Sequence, residues 1–226
     1  GQRELTREAS GKTRLLVAGS APLVPETFDA VRKRAGQTIL ERSGMTETGM
    51  ITSNPLDGVR APGTVGRPLP GIAVRIVDDN GEACAPGAFG AVQVRGPNVF
   101  AGYWRMPEKT RDEFTVDGWF RTGDVGEWVA EGEATDYLRL VGRAKDMIIS
   151  GGLNVYPKEI EERIDGLQGV MESAVIGVPD PDFGEAVTAV TGAKPGQANR
   201  ETTALPDPTH GSSTLTGPTA VARIRR

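Results

Sequence analysis

Sulfur and imidazole chemistry are almost absent from this sequence, which has one cysteine, Cys84, and one histidine, His210, among 226 residues. A single cysteine rules out an intrachain disulfide. It suits a reducing compartment, and the expected location is the cytoplasm. One Cys and one His cannot make up the ligand set of a structural zinc site. Cys84 lies in a Gly- and Pro-rich stretch with no histidine nearby, so it reads as an incidental thiol and not a nucleophile. Positive charge is short too. The net charge of −4 offers no basic face for nucleic acid. Its two cationic clusters are Arg32–Arg34, read as a solvated helix face, and Arg223–Arg226. No apolar run approaches the roughly 18 residues needed to cross a bilayer, so no membrane span is expected. These absences argue against nucleic acid and against a membrane span.

What is present suits a packed, soluble domain: 38% apolar and 25% charged residues. The length allows one large domain plus a smaller one. The chain opens at Gly1 with neither a methionine nor a signal-peptide pattern, and is expected to be part of a longer protein.

Arg14–Ala18 predicts a short buried strand ending at Gly19. Pro25 then opens a helix that Gly36 stops, the usual placing of proline at the start and glycine past the end. Thr38–Leu40 predicts a second strand. Ligands of open α/β sheets collect in loops at the carboxyl ends of such strands. From 55 to 100, Pro and Gly punctuate the alternating stretches Ala73–Val77 and Ala91–Arg95, which predicts antiparallel strands with one wet face. A short helix is expected around Pro107–Arg111 and a strand at Leu138–Val141. Beyond Lys145, Asp146–Ile149 is a short apolar stretch. Pro157 then opens a helix with Ile160, Ile164 and Leu167 on its apolar face. Glu172–Val178 and Ala186–Val190 predict a strand pair around a turn at Pro179–Gly184. Residues 196–226 carry no period of either kind and are expected to form a disordered or out-of-frame tail.

The segment Ser43–Met50, SGMTETGM, combines hydroxyls, glycines and one carboxylate. Alone it could simply cap a helix, through Thr46 or Thr48. It could equally bind phosphate and magnesium: a hydroxyl donates to phosphate oxygen, and a carboxylate suits a hard cation shared with substrate phosphates. Adenylation of a carboxylic acid needs such groups, because negative charge builds on the phosphates as the acid attacks.

Three further segments, Gly19–Leu23 (GSAPL), Arg121–Asp124 (RTGD) and Gly142–Ile160, accompany it in order. Together, from Arg14 to Val190, they resemble the adenylate-forming superfamily of acyl-CoA synthetases, luciferases and peptide-synthetase adenylation domains. The fold implied is α/β plus α+β. Residues 1–144 would be the C-terminal part of the large AMP-binding domain, a sheet edge with a β-barrel-like subdomain. Residues 145–195 would be a small, incomplete α+β domain. The resemblance implies ATP, Mg²⁺ and CoA. It places Gly19, Ser20, Ala21 and Pro22 against adenine, and Ser43, Gly44 and Met45 in the nucleotide-binding motif. Thr46 would bind phosphate and Glu47 the metal. Asp124 would accept the ribose hydroxyls, Arg143 would lie near ribose and phosphate, and Lys145 would sit at the hinge. Gly151 and Gly152 would line the pantetheine channel. Within the family, ILERSGMTETGMITSNPLDG, GPNVFAGYWRMPEKT and GGLNVYPKEIEERID resemble bacterial malonyl-CoA synthetases. The second carboxylate of malonate would then meet Ser20, Arg42 and Met50.

Three departures stand out. The family's phosphate-gripping loop with its lysine lies upstream of anything in this chain. The lysine that bridges substrate carboxylate and α-phosphate has no counterpart, since the last lysine, Lys194, sits in the wrong context, AKPGQ. Ser43 replaces the aromatic ring that stacks on adenine. The expectation is therefore an acid–CoA ligase portion, specific for malonate and of little activity alone. Its rivals are a ligase for another acid and a nucleotide-binding remnant without catalysis.

Overall fold

The computed structural model describes residues 7–19, 23, 25–194 and 219–223. It divides into two compact units, Gly1–Val141 and Gly142–Arg226.

The first unit opens with a short helix, α1 (Arg7–Ser10), then β1 (Leu16–Ala18), α2 (Pro25–Ala35), β2 (Ile39–Met45), β3 (Gly49–Ser53) and β4 (Arg67–Pro68). The four strands form one sheet in that order, with β1 parallel to β2 and β3 antiparallel to it. Helix α2 runs between the expected proline and glycine. It turns Phe28 and Ala35 inward and leaves Arg32–Arg34 in solvent. β1 is only half-buried, with Val17 46% exposed, so it is not the buried strand expected. β2 is longer than expected. A strand tolerates the polar run Glu41–Ser43 because Glu41 is buried with partners: Gly63 N donates to its Oε1 at 3.1 Å. Asn54 Nδ2 donates to its main-chain oxygen at 3.1 Å and to Thr64 O at 2.7 Å.

The second sheet of this unit holds β5 (Ala73–Val77), β6 (Gly90–Arg95), β7 (Phe120–Trp128) and β8 (Leu138–Arg143), in that order. A helix, α3 (Pro107–Glu113), precedes β7. Ile76, Val92 and Leu138 pack as its core. The predicted wet face is not wet at the centre of β6, where Val92, Gln93 and Val94 are all buried. Trp119 and two arginines account for this. The guanidinium carbons of Arg75 and Arg95 lie 4.5 and 4.6 Å from the Trp119 ring centroid. Arg75 Nε donates to Gln93 Oε1 at 2.9 Å. The stems and ring thus roof the polar face, as amphipathic side chains can.

The second unit contains β9 (Ile148–Ser150), β10 (Leu153–Val155), α4 (Pro157–Asp165), β11 (Val170–Asp180), β12 (Gly184–Ala193) and β13 (Thr219–Arg223). The sheet order is β10-β9-β12-β11, and β13 also pairs with β12. Ile164 of α4 packs with Ile148, Val170, Val175, Val187 and Ala189, and Ile160 lies against them. Leu167, expected on the helix face, falls beyond the cap at Gly166 and is 39% exposed. The β11–β12 hairpin is longer than predicted at both ends. Thr219–Arg223, in the stretch read as a loose tail, pairs antiparallel with Thr188–Gly192. Residues 195–218, His210 among them, lie outside the described residues.

Candidate nucleotide site

The segment Ser43–Met50 is a β-hairpin, not a helix start. Thr48 N donates to Met45 O at 3.1 Å, closing a turn with Thr46 and Glu47 at its centre. Gly49 follows the three-residue loop Thr46–Thr48 at φ +59, the left-handed residue that turns the chain back into β3. Below the turn, Ser43 faces Thr52 across the ladder, and a register shift falls between Ser43 and Gly44. Gly44 is held close to its partner strand, because a Cβ there would collide with Gly49 O. Thr46 is exposed at the tip, Glu47 is half-buried, and Thr48 is buried.

The residues that support this tip come from Asn98–Tyr103. Asn98 Nδ2 donates to Thr48 O at 2.6 Å and to Met50 O at 3.2 Å. Phe100 N donates to Glu47 O at 2.8 Å. The Tyr103 hydroxyl donates to Glu47 Oε1 at 3.0 Å. Burial, then this bond and the Glu47 charge, push the Tyr103 phenol up to about 12. Glu47 Oε2 takes no hydrogen bond from the described residues. Phe100 is itself anchored, with ring centroids 5.9 Å from Phe114 and 5.4 Å from Phe120. Sequence reasoning gave Tyr103 no role, although the stretch GPNVFAGYWRMPEKT had been singled out. The only available signal was a tyrosine inside a matching segment.

Arg42 and Met50 are brought together, with Arg42 Nη1 directed at Met50 Sδ. Gly19 packs on the same place, since a Cβ there would lie 2.7 Å from Arg42 O. Ser20, Ala21 and Pro22 lie outside the described residues. Asp124 is not in a turn. It stands in β7, at a register shift against β6. Its N–H donates to Thr122 Oγ1 at 3.1 Å, and that hydroxyl donates to Val92 O at 2.9 Å. Phe120, on the same strand, ties β7 to Phe100 and so to the hairpin.

Arg143, Lys145, Gly151 and Gly152 belong to the second unit. Arg143 and Lys145 are exposed, at the end of β8 and in the single helical turn Ala144–Asp146. Gly151 and Gly152 join β9 to β10 as a two-residue turn with φ of +58 and +79. Two successive positive φ values demand glycine or a close substitute.

Among the described residues, no group of three or more His, Cys, Asp and Glu gathers to hold a metal. One carboxylate with an unbonded oxygen, beside an exposed hydroxyl, does fit a magnesium ion held chiefly by substrate phosphates. No helix among the described residues is long and apolar enough to cross a membrane.

In comparison with known proteins, residues 2–104 match the family model described as AMP-binding enzyme. The malonate–CoA ligase ACSF3, mitochondrial, of Mus musculus is 42% identical over 207 residues, 83% of this chain and 35% of that protein. The sulfoacetate–CoA ligase of Cupriavidus necator is 42% identical over 184 residues, 80% of this chain and 35% of that protein. The crystal structure of ATP-bound MatB from Rhodopseudomonas palustris superposes with a TM-score of 0.82 at 52% identity, covering 87% of this chain and 39% of that one. The chain thus spans little more than a third of the length of the relatives it matches. Its mixed architecture of three sheets and few helices is that of the corresponding part of these enzymes.

Proposed function

We propose that this chain is the nucleotide-binding portion of an ATP-dependent acid–CoA ligase that forms an acyl-adenylate and then an acyl-CoA, with malonate as the acid. The observation that carries this reading is the hairpin tip: Thr46 in solvent beside Glu47, whose main chain and carboxylate are both held from Phe100 and Tyr103. The Thr46 hydroxyl donates to a phosphate oxygen. Glu47 holds magnesium, which when bound neutralises the charge that builds on the phosphates. Asp124 accepts the two ribose hydroxyls, for which one carboxylate has enough acceptor sites. Residues 1–144 serve nucleotide and acid. Arg143 serves ribose and phosphate and Lys145 is the hinge residue; residues 145–195 serve CoA, where Gly151–Gly152 lets the pantetheine arm approach the backbone.

The choice of malonate has its own support. The names of the mouse and Cupriavidus relatives share a substrate type, a carboxylic acid bearing a second anionic group. Arg42, with its guanidinium against Met50, is the cation assigned to that second group. The cytoplasm is the proposed compartment, in keeping with the lone Cys84; the mouse relative is named as mitochondrial.

The direct assay is malonate-dependent conversion of ATP to AMP, with malonyl-CoA formed when CoA is added. Sulfoacetate, acetate and a medium-chain acid are run beside it. Equal support from acetate or the medium-chain acid overturns the malonate assignment. Absence of ATP and AMP binding in calorimetry overturns the nucleotide reading altogether. Nucleotide binding with little or no turnover is the outcome expected of the 226-residue chain, and robust turnover by it overturns that expectation.

A further inference from the structure

A carboxylate on a hairpin tip has two side-chain torsions beyond χ1 with which to leave any one orientation, and each lost rotamer costs entropy. Glu47 is held against that loss at two points. Its main-chain oxygen takes the Phe100 amide at 2.8 Å, and its Oε1 takes the Tyr103 hydroxyl at 3.0 Å. Tyr103 is itself fixed. Its amide donates to Thr110 Oγ1 at 2.9 Å. Its ring meets Phe100 edge-on at 4.8 Å, and Lys109 Nζ lies 4.1 Å from its centroid. The phenol therefore approaches Glu47 from a packed platform 56 residues away in sequence. One carboxylate oxygen is occupied and the other is left for a ligand.

We propose that Tyr103 is a positioning residue for the metal: its hydroxyl orients the Glu47 carboxylate so that Oε2 is presented to a divalent cation shared with nucleotide phosphates. This inference rests on the reading of Glu47 as the magnesium ligand. Groups that orient a metal-binding carboxylate in this way typically contribute about 10- to 100-fold to metal affinity.

The test uses the full 226-residue chain, with Mn²⁺ as the probe, read by electron paramagnetic resonance in the presence of ATP. ATP binding in EDTA is measured beside it by calorimetry. Tyr103→Phe removes the hydroxyl and keeps the ring against Phe100. It is expected to weaken Mn²⁺-dependent binding about tenfold and to leave binding in EDTA unchanged. Glu47→Gln is expected to abolish the Mn²⁺-dependent part, and Tyr103→Phe to add nothing on top of it. Loss with Glu47→Gln but full Mn²⁺ affinity in Tyr103→Phe overturns the positioning role alone. Equal losses with and without metal in Tyr103→Phe overturn it too, by showing a structural role. Mn²⁺-dependent binding that survives Glu47→Gln, or is absent in the unsubstituted chain, overturns the metal reading itself and the inference with it.

Discussion

Replacing Gly44 and Gly49 by alanine, one at a time, separates two physical reasons for glycine within a single hairpin. Gly49 sits at φ +59, and a Cβ there would meet nothing within 4 Å. Its cost is therefore conformational, about 1–2 kcal/mol for an L-residue in the left-handed region. Part of that is returned, because alanine lowers the entropy of the unfolded chain by about 0.4–1 kcal/mol. The net loss should be about 1 kcal/mol, and Gly49→Asn should recover some of it, since asparagine tolerates this region. Gly44 has no positive φ, but its Cβ would collide with the Gly49 carbonyl oxygen and the Met50 methyl. Met50 can swing aside, whereas the carbonyl belongs to the paired strand. Opening that pair places Gly44→Ala at the upper end of overpacking costs, about 3 kcal/mol. Urea unfolding followed by tryptophan fluorescence reads the difference cleanly, because Trp104, Trp119 and Trp128 all lie in the first unit. With a slope of about 2 kcal/mol per molar, Gly44→Ala should shift the midpoint about 1 M further than Gly49→Ala. Equal shifts, or a larger one at Gly49, would refute the steric argument.

Other perturbations follow from the same geometry. On the proposed reading, Ser43→Tyr puts a ring beside adenine; a stack worth about 1–3 kcal/mol should tighten AMP binding about 5- to 150-fold in calorimetry. No gain would remove adenine from that face of β2. Asp117 is held down at about 2, first by the Thr115 hydroxyl and then by the Arg75 guanidinium, which lies 2.8 Å from its carboxylate. Its folded value lies below its unfolded one. The stabilisation is therefore complete above about pH 4 and is lost as pH falls through about 2. Carbon-13 titration of the Asp117 carboxyl should show that low midpoint. Arg75→Ala should move it back toward the ordinary carboxylate range, and an unmoved midpoint would remove Arg75 as a cause.

Local chemistry alone settled a good deal of this protein. Pro25 and Gly36 bracket α2, and Pro157 starts α4, because proline and glycine act on their own backbone. Ala73–Val77 was legible as a strand from alternation. The phosphate, metal and ribose roles of Thr46, Glu47 and Asp124 came from the resemblance of their segments to the adenylate-forming superfamily, not from local chemistry. What needed the tertiary structure was every decision made across distance. β7 escaped prediction because Phe120–Trp128 has no clean period: Gly123 and Asp124 interrupt it, and the strand is held by β6 and by Thr122 bonding to Val92. The face of β6 stays dry because Trp119 and Arg75 arrive from elsewhere in the chain and stack with Arg95 at the end of β6 itself. The sequence alone offered the Glu47 carboxylate as a candidate metal ligand. It did not offer the phenol that orients it, because a hydrogen bond between residues 47 and 103 leaves no mark on the local pattern around either one.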